Sequence, residues 1–162
     1  MPVSASFFQR GGSWVLIQFL LMAAVVVLAW GFRATTPDGW LQWLGAVALL
    51  AGAAVGLAGV VALGRATTPL PKPADSARLV QTGIYASVRH PLYTSVMVLA
   101  LGWALLWRSW PAFVAALALI PFFQAKARHE ERWLRERFPD YADYARRVPR
   151  FLPLFRRARP PL

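Results

Sequence analysis

Four long stretches without a charged residue constrain this chain more than any other feature of its sequence. They contain 22, 26, 18 and 17 residues and lie between Arg10 and Arg33, Asp38 and Arg65, Arg89 and Arg108, and Arg108 and Lys126. A helix needs about 20 apolar residues, within a range of about 17–25, to cross a bilayer. Only 15% of the residues are charged, against about a quarter in average domains, and this excludes an ordinary soluble domain. We predict an all-α, polytopic membrane protein with four spans at about 13–32, 40–64, 94–107 and 111–126.

The connections between these spans complete the predicted architecture. The last two spans form a helical hairpin that turns at 108–111, where Pro111 suits the first turn of the returning helix. A linker at 67–77, interrupted by three prolines, precedes the third span. The fourth span continues as a helix into a cytoplasmic C-terminal extension, so that 1–162 forms a single membrane domain.

The cationic residues are distributed unequally between the two sides of the predicted membrane. Of the 18 Lys and Arg residues, 11 lie from Lys126 onward and four lie in 65–89, whereas the remaining connections hold only Arg33 and Arg108. Cytoplasmic loops carry an excess of Lys and Arg. We therefore predict that 65–89, the C-terminal tail and, with four spans, the N-terminus are cytoplasmic.

The same distribution decides which partners the net charge of +11 favours. The basic residues cluster beside the predicted spans, and the sequence has no helix-turn-helix or RNA-binding motif, so nucleic acid is excluded as a partner. A cluster at the end of the tail favours phospholipid headgroups instead. Its members are Arg156, Arg157 and Arg159.

The second span is rich in small residues. Gly52 and Gly56 form a G-x-x-x-G pair, which lets helix backbones approach closely. We predict that these glycines pack against another helix of the same chain in preference to a second copy. The oligomeric state stays open.

The first polar segment, 79–93, ends where the third helix enters the bilayer. Its last residues include Arg89, His90 and Tyr93. Ionisable side chains at such a boundary are candidates for a functional site, because their burial is costly without partners. The alternative is that Arg89 reaches lipid phosphates and His90 only caps the helix. Gly83 is expected in a turn, where a glycine lets the backbone approach a ligand.

The second polar segment, 126–144, lies on the same predicted face of the membrane. Its Glu130 and Glu131 are adjacent acids in an otherwise basic tail. A carboxylate just above the membrane can hold an ammonium group or a ribose hydroxyl. The alternative is a solvated helix face, on which Glu130 pairs with Lys126 and Glu131 with Arg135 at a spacing of four residues.

Together, the two segments resemble the isoprenylcysteine carboxyl methyltransferase family, which includes bacterial membrane methyltransferases and has the phospholipid methyltransferases as more distant relatives. The resemblance covers about residues 78–153 and consists of two motifs in order, separated by a helical hairpin. The first motif is Leu79-Val80-x-x-Gly83-x-Tyr85-x-x-x-Arg89-His90-Pro91-x-Tyr93. The second is Glu130-Glu131-x-x-Leu134, followed by Tyr141-x-x-Tyr144, Val148-Pro149 and Pro153.

The resemblance implies S-adenosylmethionine as the methyl donor, held at the cytoplasmic face by both motifs. The residues that it assigns to the cofactor are Arg78, Leu79, Val80, Tyr85, His90, Pro91, Leu92, Tyr93 and Glu130. Family members often have an arginine one turn before the glutamate, oriented toward an acceptor carboxylate, and this chain has Lys126 there. Lysine neutralises a carboxylate but lacks the two-pronged geometry of arginine.

Methyl transfer from a sulfonium is an in-line displacement with an activated donor. The protein therefore mainly positions the reactants and excludes water, and the absence of cysteine is no obstacle. We expect no metal and a lipophilic or small acceptor, with a prenylcysteine-type carboxylate as one option. The candidate catalytic residues are Lys126, facing the acceptor, and Glu131, which together with His129 is a candidate general base if the acceptor is an amine or thiol.

Three other functions stay open at this point. A phospholipid-type N-methyltransferase belongs to the same reaction class. A non-catalytic membrane scaffold or accessory protein predicts that His90, Tyr93 and Glu130 tolerate replacement by alanine. A reductase-like relative that binds a nicotinamide cofactor requires additional spans and a basic phosphate pocket, for which 162 residues leave little room.

Overall fold

The structure is a computed structural model that describes residues 11–35, 39–64 and 78–152. Within these ranges the chain forms five α-helices and a short 3-10 helix, and it has no β-strand, so the predicted all-α class is confirmed. The helices are α1 (Gly12–Gly31), α2 (Gly39–Leu63), α3 (Pro91–Leu106), α4 (Trp110–Arg137) and α5 (Tyr141–Arg147), with the 3-10 helix at Gly83–Ala86. The predicted linker at 67–77 and the terminal arginine cluster lie outside the described residues.

Three of the four predicted spans coincide with helices that are long and apolar enough to cross a membrane, namely α1, α2 and α4. Their outward faces carry large apolar side chains such as Leu20, Trp43 and Leu50, each at least 70% exposed. An apolar solvent explains such exposure, and helices satisfy their backbone polar groups internally, as a bilayer requires. Helix α3 has 16 residues, about 24 Å of helix, and its crossing of the membrane stays a prediction.

The glycines of α2 bring its backbone against α3. A Cβ added at Gly52 would lie 2.9 Å from Leu99 Cγ, and one added at Gly45 would lie 2.5 Å from the backbone nitrogen of Leu106. The Ser95 hydroxyl also donates a 2.7 Å hydrogen bond to the Gly52 carbonyl oxygen. The predicted packing of the glycine-rich helix within the chain is therefore confirmed.

The turn between α3 and α4 also holds the end of α1. Ser109 is the N-cap of α4, and its Oγ accepts a 3.4 Å hydrogen bond from the Ala112 backbone N–H. The same hydroxyl donates to the Leu28 carbonyl oxygen in the last turns of α1 at 3.0 Å. Because the end of α1 meets the beginning of α4, the two helices run antiparallel. The beginning of α1 consequently lies beside the later turns of α4, where Trp14 contacts the His129 ring.

Helix α4 continues well beyond its apolar part, as predicted. Its 28 residues extend for about 42 Å, compared with a hydrocarbon core of about 30 Å. After α4, the chain turns back through α5, whose buried Tyr141 and Tyr144 pack with Val148 against Leu79. This cluster holds the C-terminal segment 148–152 beside the beginning of α3, and thereby positions the residues described next.

Candidate active site

The two sequence motifs meet where α3 begins and where α4 leaves its apolar part. His90 is the N-cap residue of α3, but its side chain makes no capping hydrogen bond. Its two ring nitrogens instead face the two adjacent carboxylates of α4. Nδ1 lies 3.7 Å from Glu130 Oε2, and Nε2 lies 3.1 Å from Glu131 Oε1. The alternative in which the His90 side chain only caps the helix is therefore wrong.

Glu130 is the more accessible of the two carboxylates. The Tyr93 hydroxyl donates a 2.6 Å hydrogen bond to Glu130 Oε2, the same oxygen that faces His90. Glu130 Oε1 has no partner among the described residues, and the side chain is 22% exposed. One oxygen is thus held by the protein, while the other is available to a ligand.

Glu131, by contrast, is enclosed by cations and is 1% exposed. Arg150 forms a two-pronged pair with it, through Nε to Oε1 at 2.9 Å and Nη2 to Oε2 at 2.7 Å. Arg89 Nη1 lies 3.4 Å from Glu131 Oε1, so Arg89 contacts a carboxylate of the protein. The exposed Arg135, four residues along the helix, lies 3.9 Å away as its spacing predicts.

The segment that carries Arg150 is attached directly to the first motif. The backbone N–H groups of Arg89 and His90 donate to the carbonyl oxygens of Pro149 and Arg150, at 3.0 and 3.1 Å. The Thr94 hydroxyl donates to the Phe151 carbonyl oxygen at 2.9 Å. These contacts hold 149–151 across the beginning of α3, so three separate parts of the sequence form one polar cluster.

An aromatic stack lies beside this cluster, toward the apolar parts of α3 and α4. The Tyr93 ring is nearly parallel to the His90 ring at a centroid distance of 5.2 Å, and it stacks with Phe123 at 4.8 Å. Lys126 Nζ lies over the Tyr93 ring, 5.0 Å from its centroid. The same ammonium donates a 2.6 Å hydrogen bond to Gln18 Oε1 of α1. A buried cation therefore lies beside the Tyr93–Glu130 pair, at the seam between α1 and α4.

The remaining residues assigned by the resemblance lie around this centre rather than in it. Arg78 is exposed and Val80 is half-buried, while Leu79 packs in the tyrosine cluster of α5. Pro91 and Leu92 face α2, where they would be the nearest neighbours of a Cβ added at Gly59.

Tyr85 lies in the 3-10 helix beside the polar cluster and is buried. Its carbonyl oxygen accepts a 2.7 Å hydrogen bond from the Tyr144 hydroxyl. Burial raises the pKa of the Tyr85 phenol well above its usual value, and the charge of Glu130 raises it further. Tyr85 is thus held as a neutral phenol. Gly83, at the start of this turn, has a φ of +60°, a conformation that favours glycine and matches the predicted turn.

Sequence reasoning missed two residues of the cluster. Arg150 directly follows the Val148-Pro149 pair of the second motif, and this position was a usable signal. Gln18 is the one amide between Trp14 and Trp30 in the first charge-free stretch. A lone polar side chain within a span points toward the interior of a bundle, and Gln18 follows this rule.

A cavity of about 500 Å³ lies at the other end of α3 and is lined by residues that include Ala34, Leu41 and Phe113. It contains none of the motif residues, so it is separate from the polar cluster. Within the described ranges, no three His, Asp or Glu side chains are grouped as a metal site would require.

Comparison with known proteins identifies the family. The model of the phospholipid methyltransferase family matches residues 40–141, which is more than half of the chain. The nickel-cobalt-cadmium resistance protein NccN of Alcaligenes xylosoxydans xylosoxydans is 40% identical over 79 residues, which are 48% of this chain and 37% of that protein. The cobalt-zinc-cadmium resistance protein CzcN of Cupriavidus metallidurans is 41% identical over 76 residues, 46% of this chain and 35% of that protein.

A longer match is to protein-S-isoprenylcysteine O-methyltransferase B of Arabidopsis thaliana, which is 28% identical over 143 residues, 86% of this chain and 71% of that protein. With the two metal-resistance proteins, by contrast, the chain aligns over little more than a third of their length. From the family match and its motifs, the chain belongs to the phospholipid methyltransferase family, and its resemblance to the isoprenylcysteine carboxyl methyltransferases is confirmed.

Proposed function

We propose that this chain is an integral-membrane methyltransferase that uses S-adenosylmethionine to methylate a lipophilic acceptor. The observation that carries the proposal is the contact between Tyr93 of the first motif and Glu130 of the second. It brings together residues that the resemblance assigns to one cofactor, although they are far apart in sequence. Family membership supports the reaction class.

The polar cluster fits the chemistry of S-adenosylmethionine. This cofactor carries an ammonium group, a positively charged sulfur and two ribose hydroxyls. Glu130 offers an acceptor oxygen, Oε1, that has no partner among the described residues, and the carboxylate is partly open to solvent. A half-buried carboxylate oxygen that contacts no cation of the protein can accept a hydrogen bond from a ligand. Such a bond from an ammonium or hydroxyl group is strong, because the acceptor is charged.

The residues of the chain would mainly hold and orient the reactants. When bound, S-adenosylmethionine supplies a methyl group on a sulfonium, already activated for displacement by an electron pair of the acceptor. Tyr93 and His90 fix the orientation of the Glu130 carboxylate. The stacked rings of Tyr93 and Phe123 keep water away from the side of the polar cluster that faces the apolar parts of α3 and α4. Exclusion of water strengthens electrostatic interactions within the site.

Lys126 favours an acceptor with a carboxylate at its reacting end. Lys126 is 1% exposed, and within the described part of the chain its ammonium has one hydrogen bond and no ion pair. An anionic acceptor that enters between α1 and α4 would give the ammonium a direct ionic partner. A carboxylate has no proton to lose when it is methylated, so this assignment requires no general base.

We propose for Glu131 a role other than that of a base. Because Arg150, Arg89 and His90 occupy its oxygens, we assign it as a positioning residue that fixes His90. The His129 ring lies between Trp14 and Trp133, and its Nδ1 faces Arg132. The phospholipid-type N-methyltransferase, favoured by the description of the matching family, needs a base, and His129 is then the candidate.

We also propose that α3 crosses the membrane as a fourth span and that the polar cluster faces the cytoplasm. The excess of cations from Lys126 onward supports this orientation. Lipids then surround the exposed faces of α1 and α2, and a lipophilic acceptor reaches Lys126 without leaving the bilayer.

The decisive experiment is calorimetric titration of the detergent-solubilised protein with S-adenosylmethionine. We expect binding by the wild type and a loss of affinity of at least about tenfold in Glu130→Gln, because a hydrogen bond to a charged group is lost. Glu136→Gln is the matched control, since Glu136 is an exposed carboxylate of the same helix. Absence of binding by folded wild type would overturn the proposal and favour the scaffold or the nicotinamide-binding protein. Equal affinity of the two variants would contradict the assignment of Glu130 to the cofactor.

Transfer of a radiolabelled methyl group then identifies the acceptor class. Methylation of a prenylcysteine supports the carboxylate assignment. Methylation of a phospholipid amine with no reaction of the prenylcysteine contradicts that assignment and identifies the chain as the N-methyltransferase.

A further inference from the structure

We propose that Gln18 is a positioning residue of the active site, which keeps the Lys126 ammonium apart from the Glu130 carboxylate. The inference deepens the proposed function and rests on it. It also implies that α1 contributes to the active site, although α1 precedes residues 40–141, which match the family.

The contact between Lys126 and Gln18 is a short hydrogen bond that joins α4 to α1. Lys126 Nζ donates to Gln18 Oε1 at 2.6 Å, across 108 residues of sequence. The ammonium also lies over the ring of Tyr93, and the centroid of the Phe123 ring is 5.9 Å away. A lysine has a flexible four-carbon stem and a compact charge, so a single strong acceptor decides where the ammonium rests.

The alternative position for the ammonium lies close by. Lys126 and Glu130 are four residues apart on α4, the spacing at which opposite charges pair along a helix. In the structure they do not pair, because Glu130 Oε2 is directed toward Tyr93 and His90. The Gln18 amide holds the ammonium on the α1 side of the Tyr93 ring. If this acceptor is removed, the ammonium is expected to turn toward Glu130.

Such a turn would neutralise both functional charges at once. Glu130 would lose the oxygen that is available to the cofactor, and Lys126 would no longer face the acceptor. A neutral amide suits the separating role, because it accepts a hydrogen bond without cancelling the charge of the ammonium.

The test is a double-mutant comparison with S-adenosylmethionine as the calorimetric probe. Gln18→Met removes the acceptor oxygen at nearly constant length. We expect it to weaken binding about fivefold, as for coupled neighbouring residues. In a Lys126→Met background the same substitution should have no further effect, because no ammonium remains to turn toward Glu130. Gln18→Glu keeps an acceptor oxygen and should bind like the wild type.

A structural role for Gln18 would give a different pattern. Equal weakening in both backgrounds, or unchanged binding by Gln18→Met, overturns the inference while leaving the proposed function intact. No binding by the wild type overturns both. Phe19→Leu is the matched control, since Phe19 is the next residue of α1 and is 57% exposed. If Gln18→Met yields too little folded protein, Gln18→Asn replaces it in the test. The asparagine side chain is one carbon shorter, so its oxygen would lie farther from the ammonium, and we expect the same weakening of binding.

Discussion

The Tyr93 hydroxyl donates a 2.6 Å hydrogen bond to Glu130 Oε2 and so joins the first turn of α3 to α4 across 37 residues of sequence. The bond leaves the second oxygen of Glu130 without a described partner. The Tyr93 ring stacks with His90 and Phe123, and the Lys126 ammonium lies over it. Tyr93 therefore contacts both charged groups that we assign to ligands.

Replacing Tyr93 by phenylalanine removes this bond and keeps the ring. We expect S-adenosylmethionine to bind about tenfold more weakly, because a hydrogen bond to a charged group contributes about 1.5–3 kcal/mol. Calorimetry on Tyr93→Phe measures the change, with the thermal midpoint as a check that the fold is intact. An unchanged affinity at an unchanged midpoint would show that Tyr93 does not orient Glu130.

The pair of Arg150 and Glu131 should matter for stability. Removing one partner of a buried ion pair costs about 3–5 kcal/mol, because the other charge is left without compensation. We expect Arg150→Met and Glu131→Leu each to lower the thermal midpoint in detergent, and the double variant to lose less than the sum of the two. Arg150→Lys should fall between wild type and Arg150→Met, because lysine cannot form the two-pronged contact. Strict additivity would contradict a direct energetic coupling.

Tyr144 predicts how stability depends on alkaline pH. Burial is the main cause that raises the pKa of its phenol from 10.0 to about 12. The folded chain therefore keeps a proton that the unfolded chain loses, and stability should fall as pH rises from about 10 to about 12. Thermal unfolding of wild type and Tyr144→Phe across this range measures the effect. The variant should show a shallower decline, and an identical decline would assign the effect to other groups.

Gly45 should tolerate no side chain. A Cβ at this position would lie 2.5 Å from the Leu106 backbone nitrogen and 2.8 Å from the Gly102 carbonyl oxygen, and backbone atoms cannot move aside as a side chain can. We expect Gly45→Ala to cost about 1–3 kcal/mol and to lower the thermal midpoint. Gly39→Ala on the same helix is the control, because an added Cβ there meets nothing within 4 Å. Equal midpoints would mean that α2 and α3 separate easily.

The absence of cysteine makes the proposed orientation of α4 directly measurable. Single cysteines at Trp110, which is 76% exposed, and at the exposed Arg137 mark the two ends of α4. In intact cells, we expect a membrane-impermeant thiol reagent to label Trp110→Cys and to label Arg137→Cys only after permeabilisation. In intact cells, labelling of Arg137→Cys alone would show the opposite orientation of α4. Labelling of both variants would disprove the proposed orientation.

Much of the fold could be predicted from the sequence, because a bilayer strongly disfavours charged side chains and unpaired backbone groups in its hydrocarbon core. The charge-free stretches that end at Arg33 and Lys126 correspond to α1 and to the apolar part of α4, since a charge within the hydrocarbon is costly. Ser109 and Pro111 mark the beginning of α4, because capping and proline preferences are local. The order of the two motifs likewise identified the family without any geometry.

Only the tertiary structure shows which charged groups are enclosed by partners and which stay accessible. Glu130 and Glu131 are adjacent in sequence but point about 100° apart on a helix, so only the docking of α3 and of 149–151 shows which one is enclosed. Arg150 and Gln18 contact partners that lie 19 and 108 residues away in the sequence. No local pattern encodes such distances, because they depend on how the helices pack. The sequence thus determined the helices and the family, and packing determined which side chains form the candidate site.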